Sequence, residues 1–302
     1  MLKTTDIKMY SLLISLSLIF SCAMYGSKDM IVTDSDQKVK RLYVETSVGQ
    51  IHVTQGKPRS STTTDIPILL LHLSPNSSQM FHALLPKLAE TRLVIAPDTP
   101  GFGMSDKPSE PPLVEDFARW MIEMLDQLDI EQVDILGYHT GAMTATEMAI
   151  IASKRVRSLC IIGIPIFNQE EKDAYFKNPW PAPMSPTDTN YVSDQWKISV
   201  AWRGPGQTLE MIKGTFMAKL QAGDTGWWGP RAAFLYPMRD KLPLVNQPIL
   251  PVNPKDDLWE ISPRAKDLLS NEIINLPDYG FGFVEISPEK VISMLNDFQK
   301  DW

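Results

Sequence analysis

The sequence predicts an α/β chain: a mostly parallel sheet with helices on both faces and a helical insertion late in the chain. Short, continuous apolar runs such as DIPILLLHL, EQVDILG and VRSLCIIGI have the length and composition of strands buried on both faces. Helical stretches alternate with them, which is the pattern of repeated strand and helix units. The alternation stops near residue 166 and resumes near residue 246. The Pro- and Trp-rich stretch between, with NPWPAPMSP and GWWGP, therefore predicts an insertion into a single domain.

In chain order, RLYVETS and GQIHVTQ alternate apolar and polar residues and predict two strands joined by a tight turn at Val48 and Gly49. DIPILLLHL follows as a strand, SSQMFHALLPKLAE as a helix and TRLVIAP as a strand. In LVEDFARWMIEMLDQL, the residues Leu113, Phe117, Trp120, Met121, Met124, Leu125 and Leu128 share one helical face, and core packing accounts for them without a cofactor. EQVDILG is the next strand, TGAMTATEMAIIAS a helix rich in small residues, and VRSLCIIGI another strand. After the insertion, QPILPVNP and EIINLPD predict strands, and ISPRAKDLLS and SPEKVISMLNDFQ predict helices. The domain runs over residues 41–302, with the insertion at about 166–246 and a polar link at 30–40 in front of it.

A length of 302 residues, 43% hydrophobic and 22% charged, is enough for a sizeable core. A net charge of -7 with no Lys/Arg-rich run argues against a nucleic-acid partner and leaves a small-molecule substrate or ligand open. Residues 1–29 have the form of an export segment. Lys3 and Lys8 precede MYSLLISLSLIF, which is short for a membrane span and suits the apolar core of a signal peptide. The closing LIFSC resembles a bacterial lipoprotein signal, which implies a lipid on Cys22, membrane association through the N-terminus, and a periplasmic or outer-membrane location. Simple cleavage, an uncleaved anchor, and a start codon placed too early, with a cytoplasmic protein beginning at Met30, are the alternatives. Cys160, the second of two cysteines, lies in an apolar strand and is expected to be a buried, inert thiol, so neither a disulfide framework nor a cysteine metal site is available.

The stretches LLLHLSP, VIAPDTPGFGMSDKP, DILGYHTGA, PVNPKDDLW and GFGFVEISPEKV carry a resemblance. From about residue 41 to the C-terminus the chain resembles the α/β-hydrolase fold superfamily, in the branch of haloperoxidases, epoxide hydrolases and ester hydrolases. That resemblance implies an α/β-hydrolase fold with an inserted helical lid, and a triad in the order nucleophile, acid, histidine. Gly137 and Gly141 fall on the glycines of the family's nucleophile turn, and His139 falls on the nucleophile itself. In NPKDDLW, Asp257 is the implied acid and Asp256 its alternative. Phe281 stands where the last histidine belongs, and no histidine follows residue 139. The implied oxyanion-hole donors are the backbone N–H groups of Leu73, in place of the family's usual glycine, and Thr140. His72 is implied to hold the oxyanion loop, and Asp98 to support the elbow. His52 and His82 are expected at surface or packing positions. Trp180, Trp196, Trp202, Trp227 and Trp228 either line an apolar ligand pocket or pack. The glycines of PGFG make a turn rather than a dinucleotide site, and no HExxH or similar spacing exists, so no cofactor and no metal is expected.

Acyl-enzyme chemistry needs a hydroxyl, thiol or carboxylate beside a base, which the elbow and the last triad position do not supply. An imidazole, with an ordinary pKa near 6.5, can act as a general base. Its ring reaches about 3 Å further from the backbone than a serine hydroxyl does, toward Asp257. The expectation is an enzyme that hydrolyses or cleaves a small apolar ester, lactone or carbonyl compound with His139 as general base. The alternative is a catalytically inactive binding protein in which His139 lines a ligand or partner pocket.

Overall fold

The computed structural model describes residues 39–58, 66–181 and 187–300. The export segment with Cys22, and the link up to residue 38, lie outside the described residues. Among these residues eight strands form one sheet: β1 (Val39–Thr46), β2 (Gly49–Gly56), β3 (Ile68–Leu71), β4 (Val94–Pro97), β5 (Val133–Tyr138), β6 (Val156–Ile162), β7 (Ile249–Pro254) and β8 (Ile274–Leu276). Their order is β1-β2-β4-β3-β5-β6-β7-β8. β2 is antiparallel to both β1 and β4, and every pair from β4 to β8 is parallel.

Why the central strands are apolar without alternation is visible in the core. Leu69 and Leu71 of β3, Ile135 of β5, and Leu159 and Ile161 of β6 pack on one face. Ile68, Leu70, Leu136, Tyr138, Cys160 and Ile162 pack on the other. Period-two side chains thus feed two cores, and both must be apolar. Burial pushes the Cys160 thiol up to about 12, which leaves it unreactive near neutral pH.

Three predicted elements differ in detail. β1 and β2 turn at Ser47 and Val48, one residue earlier than predicted, with Thr46 opposite Gly49. Gly49 (φ +115°) opens β2, where a Cβ would stand 2.5 Å from the Asp106 carboxylate that accepts the Gln50 N–H. The helix predicted for SSQMFHALLPKLAE is instead a 3-10 turn, Ser78–Phe81, followed by the short α1 (Leu85–Leu88). Pro86 has no N–H to give to a preceding turn, so it is tolerated only at a helix start. Likewise ISPRAKDLLS forms a 3-10 helix, Ser262–Leu268, with its proline in the first turn.

α2 (Val114–Gln127) buries Phe117, Met121, Met124 and Leu125 on the predicted face. Leu113 precedes the helix as its N-cap and is 41% exposed, while the Asp116 side chain accepts the Leu113 N–H at 2.8 Å. α3 (Thr140–Ile151) is buried over nearly its whole length, and its small residues let it lie directly on the sheet. Between β6 and β7 the described residues form five α-helices, two short 3-10 turns and no strand: α4 (Gln169–Lys177), α5 (Tyr191–Ala201), α6 (Leu209–Ala222), α7 (Trp228–Leu235) and α8 (Met238–Lys241). The short α9 (Phe283–Ile286) and then α10 (Pro288–Gln299) close the chain against the second core. None of the described helices is long and apolar enough to cross a membrane.

Candidate active site

In a parallel sheet the crevice beyond the carboxyl ends of the strands is the place for a site. Here the ends of β3, β4, β5, β6 and β7 deliver His72, Asp98, His139, Gly163 and Asp256 to that edge. His139 caps α3 at the turn out of β5, with φ 49° and ψ −107°. This strained backbone holds because its neighbours leave no other path. A Cβ on Gly137 would come within 2.3 Å of Gly141 O, and one on Gly141 within 2.1 Å of Leu71 O. The first turn of α3 is therefore pressed onto the ends of β5 and β3, and only glycine fits at either position.

The His139 ring points at the turn after β7. Its Nε2 lies 2.9 Å from Asp256 Oδ2, and its Nδ1 lies 3.8 Å from Asp257 Oδ1. Asp256, the alternative acid of the sequence reading, is thus in direct hydrogen-bond contact, whereas Asp257 is beyond it. Asp256 also accepts the Tyr138 hydroxyl at 3.0 Å and the Leu258 N–H at 3.0 Å, and its side chain is 0% exposed. Burial opposes its charge, but His139 and these donors outweigh burial and hold the carboxyl below its ordinary value. An ionised Asp256 can only accept, so Nε2 carries the ring proton and Nδ1 of the neutral ring has the free lone pair. Burial disfavours a charged His139, yet Asp256 and then Asp257 prevail and raise its pKa above 6.5. Asp257 moves the other way from Asp256: burial, joined by the adjacent Asp256 charge, raises it against the pull of His139. The Tyr138 phenol is pushed far up by burial and by Asp256, so it remains a donor.

Phe281 does not part His139 from Asp256. It stands edge-on to the imidazole at 5.9 Å between ring centroids, and Trp202 stands edge-on to Phe281 at 5.8 Å. Trp202 and Trp180 are largely exposed, Trp196 packs on Phe216, and Trp228 lies against Gly101.

The two amides named as oxyanion donors flank the elbow. Thr140 opens α3, and neither its N–H nor that of Leu73 has an acceptor among the described residues. His72 fixes the loop that carries Leu73. Its Nε2 accepts the Thr99 N–H at 2.9 Å, so Nδ1 is the protonated nitrogen and donates to Leu73 O at 2.7 Å. Burial lowers the His72 pKa and keeps this ring neutral. Asp98 is a strut: it accepts from His52 Nδ1 (2.9 Å), the Ser78 N–H (2.7 Å) and the Met104 N–H (2.9 Å). These donors, with His72, overcome its burial and hold it down to about 2. His82 is exposed, 3.5 Å from Glu285.

His139, Asp256 and Asp257 each bring an atom able to ligate a metal within 4.8 Å of the others. Asp256 is joined to Nε2 by a direct hydrogen bond, while Nδ1 and Asp257 Oδ1 face each other at 3.8 Å. Two participants were not singled out in the sequence. Gly163 (φ +68°) ends β6, and a Cβ there would stand 2.3 Å from His139 Cδ2, so this glycine makes room for the ring. Tyr138 precedes His139, and its apolar surroundings in the strand conceal a hydroxyl that reaches the acid.

Residues 66–213 match the family described as alpha/beta hydrolase fold. A 2-hydroxymuconate semialdehyde hydrolase of Pseudomonas sp. (strain CF600) is 36% identical over 101 residues, 32% of this chain and 36% of that protein. A haloalkane dehalogenase of Psychrobacter cryohalolentis is 34% identical over 102 residues, 33% of this chain and 32% of that protein. The matched stretch thus spans about a third of the length of these curated relatives. Among solved structures, a thermophilic esterase from Thermogutta terrifontis superposes with TM-score 0.68 at 18% identity, covering 87% of this chain and 98% of that one. The enol-lactonase from Burkholderia xenovorans LB400 does so with TM-score 0.70 at 14% identity, covering 85% and 99%. Sheet order, elbow and family match agree, and the chain has the α/β-hydrolase fold.

Proposed function

We propose that this protein is a hydrolase of small, fairly apolar esters or lactones that activates water with His139 instead of forming an acyl-enzyme. The observation that carries this reading is the 2.9 Å contact of His139 Nε2 with the buried Asp256, which turns the lone pair of Nδ1 toward the site. A water held by Nδ1 attacks the substrate carbonyl carbon as the imidazole takes its proton, and Asp256 stabilises the imidazolium that forms. In this reading the N–H groups of Leu73 and Thr140, which have no acceptor among the described residues, receive the oxyanion. Substrate class is supported by the aromatic side chains beside the site: Phe281 stands edge-on to the His139 ring and the exposed Trp202 edge-on to Phe281, while the His139 side chain is 12% exposed. The relatives named a semialdehyde hydrolase and a haloalkane dehalogenase act on small molecules, and an esterase and an enol-lactonase are among the solved structures of this fold.

The experiment is a hydrolysis screen of short-chain esters and lactones with the wild type and His139→Ala. Turnover by the wild type, reduced by roughly 100- to 10,000-fold in the variant, is the expected result. Dialysis against EDTA leaves the rate unchanged. Turnover that survives His139→Ala contradicts the mechanism, and saturable ligand binding without any turnover assigns the site to a binding protein instead.

A further inference from the structure

We propose that Asp257 is a second proton-transfer residue of this site: the general acid that protonates the leaving group, and the group to which His139 afterwards returns its proton. The inference rests on the general-base reading above. Asp256 and Asp257 are adjacent in sequence and differ in every other respect. Asp256 is fully buried and holds three donors, His139 Nε2, the Tyr138 hydroxyl and the Leu258 N–H, so it has no proton to give. Asp257 is 25% exposed and hydrogen-bonds to no other side chain among the described residues, and its Oδ1 faces the opposite ring nitrogen, Nδ1, at 3.8 Å. That separation is too long for a direct hydrogen bond, and one oxygen atom set to the side of the pair, from a water or from a departing alkoxide, can hydrogen-bond both at about 2.8 Å. Burial and the neighbouring Asp256 charge favour the neutral form of Asp257, whereas His139 and the other donors favour the ionised form of Asp256.

The proton account closes. Water forms a bond to the carbonyl carbon and loses a proton to Nδ1, giving the tetrahedral oxyanion. As the oxyanion collapses, the carbon–oxygen bond to the leaving group breaks and that oxygen takes the proton of Asp257. The imidazolium then passes its Nδ1 proton, through a water that touches both groups, to the Asp257 carboxylate, restoring neutral His139 and protonated Asp257. One water and one ester have become one acid and one alcohol.

Leaving-group dependence tests this directly. Two esters of the same short acid are compared, a p-nitrophenyl ester, whose leaving group departs without protonation, and the ethyl ester, whose alkoxide needs a proton. In Asp257→Asn, kcat for the ethyl ester is expected to fall on the order of 100-fold more than kcat for the p-nitrophenyl ester, with KM little changed. Asp257→Glu restores part of the ethyl-ester rate, and both variants keep the wild-type circular dichroism and Tm. His139→Ala loses both substrates alike, so a general base that is not His139 is recognised separately. Equal losses for both esters in Asp257→Asn, no loss for the ethyl ester, or wild-type protein inert toward both would overturn the proposal.

Discussion

An imidazole at the nucleophile turn needs more room than a hydroxyl, and the surrounding residues provide it. Gly163 leaves the space for the ring: a Cβ there lies 2.3 Å from His139 Cδ2 and 2.7 Å from Nε2. Gly163→Ala is expected to tilt the ring off Asp256 and to lower kcat at least tenfold, on the order of a lost catalytic hydrogen bond, with KM changing less; a crystal structure of the variant reads the ring position. Asp256 sets both the tautomer and the basicity of His139. Because that carboxylate raises the His139 pKa, wild-type kcat/KM for the p-nitrophenyl ester, which needs no general acid, should rise with pH through a value above 6.5, as the imidazolium loses its proton. In Asp256→Asn the rise moves to lower pH while the maximal rate falls. A pH profile of the pair checks both, and an unmoved midpoint speaks against the contact. His139→Ser creates no esterase, since the position of the family's last histidine is held by Phe281, which is no base.

At the scale of elements, the site depends on how tightly α3 sits on the sheet. Gly141→Ala places a methyl 2.1 Å from Leu71 O, a backbone atom that cannot turn aside, and is expected to cost about 3 kcal/mol or more; urea denaturation measures it. The loop after β4 hangs from Asp98. With the carboxyl held near 2 against 3.8 when unfolded, Asp98 contributes roughly 2 kcal/mol that is fully present above pH 3.8 and is lost as pH falls toward 2. In Asp98→Asn that part of the acid dependence disappears. Glycines 137 and 141 made the elbow legible in the sequence, because their spacing allows few other readings. Which of two adjacent aspartates meets His139 was not legible. It is decided by the turn after β7, where Asp256 N bonds Pro254 O and Leu258 N bonds Asp256 Oδ1, a local geometry with no periodicity to read. Gly163 was hidden for a related reason: a glycine after a strand shows its purpose only through the ring it would strike.

Across the whole molecule, β5 carries a buried ion cluster at one end and the candidate site at the other. Asp134, at the start of the strand, is buried and receives Arg92 Nη1 at 2.9 Å, Gln299 Nε2 at 2.9 Å, Ser158 Oγ at 2.6 Å and Arg157 Nε at 2.8 Å. His139 follows the other end of that strand, roughly 16 Å away at about 3.3 Å per residue. Asp134→Ala strips a buried cluster of its anion and is expected to cost about 3 to 5 kcal/mol, a clear fall in Tm, with kcat per folded molecule unchanged. The sheet was legible from sequence because strands feeding two cores must be continuously apolar. The helix expected over residues 77–90 was not, because hydrophobic periodicity runs through Pro86 while the backbone cannot.

The central claim is that His139 is held by Asp256 as a base whose free atom is Nδ1. The most direct measurement is a pH titration of 15N-histidine-labelled protein by NMR, with His139→Gln to assign the signal. The account predicts a ring that titrates above 6.5 and, once neutral, carries its proton on Nε2. A ring already neutral below 6.5, or one that settles with its proton on Nδ1, would contradict it.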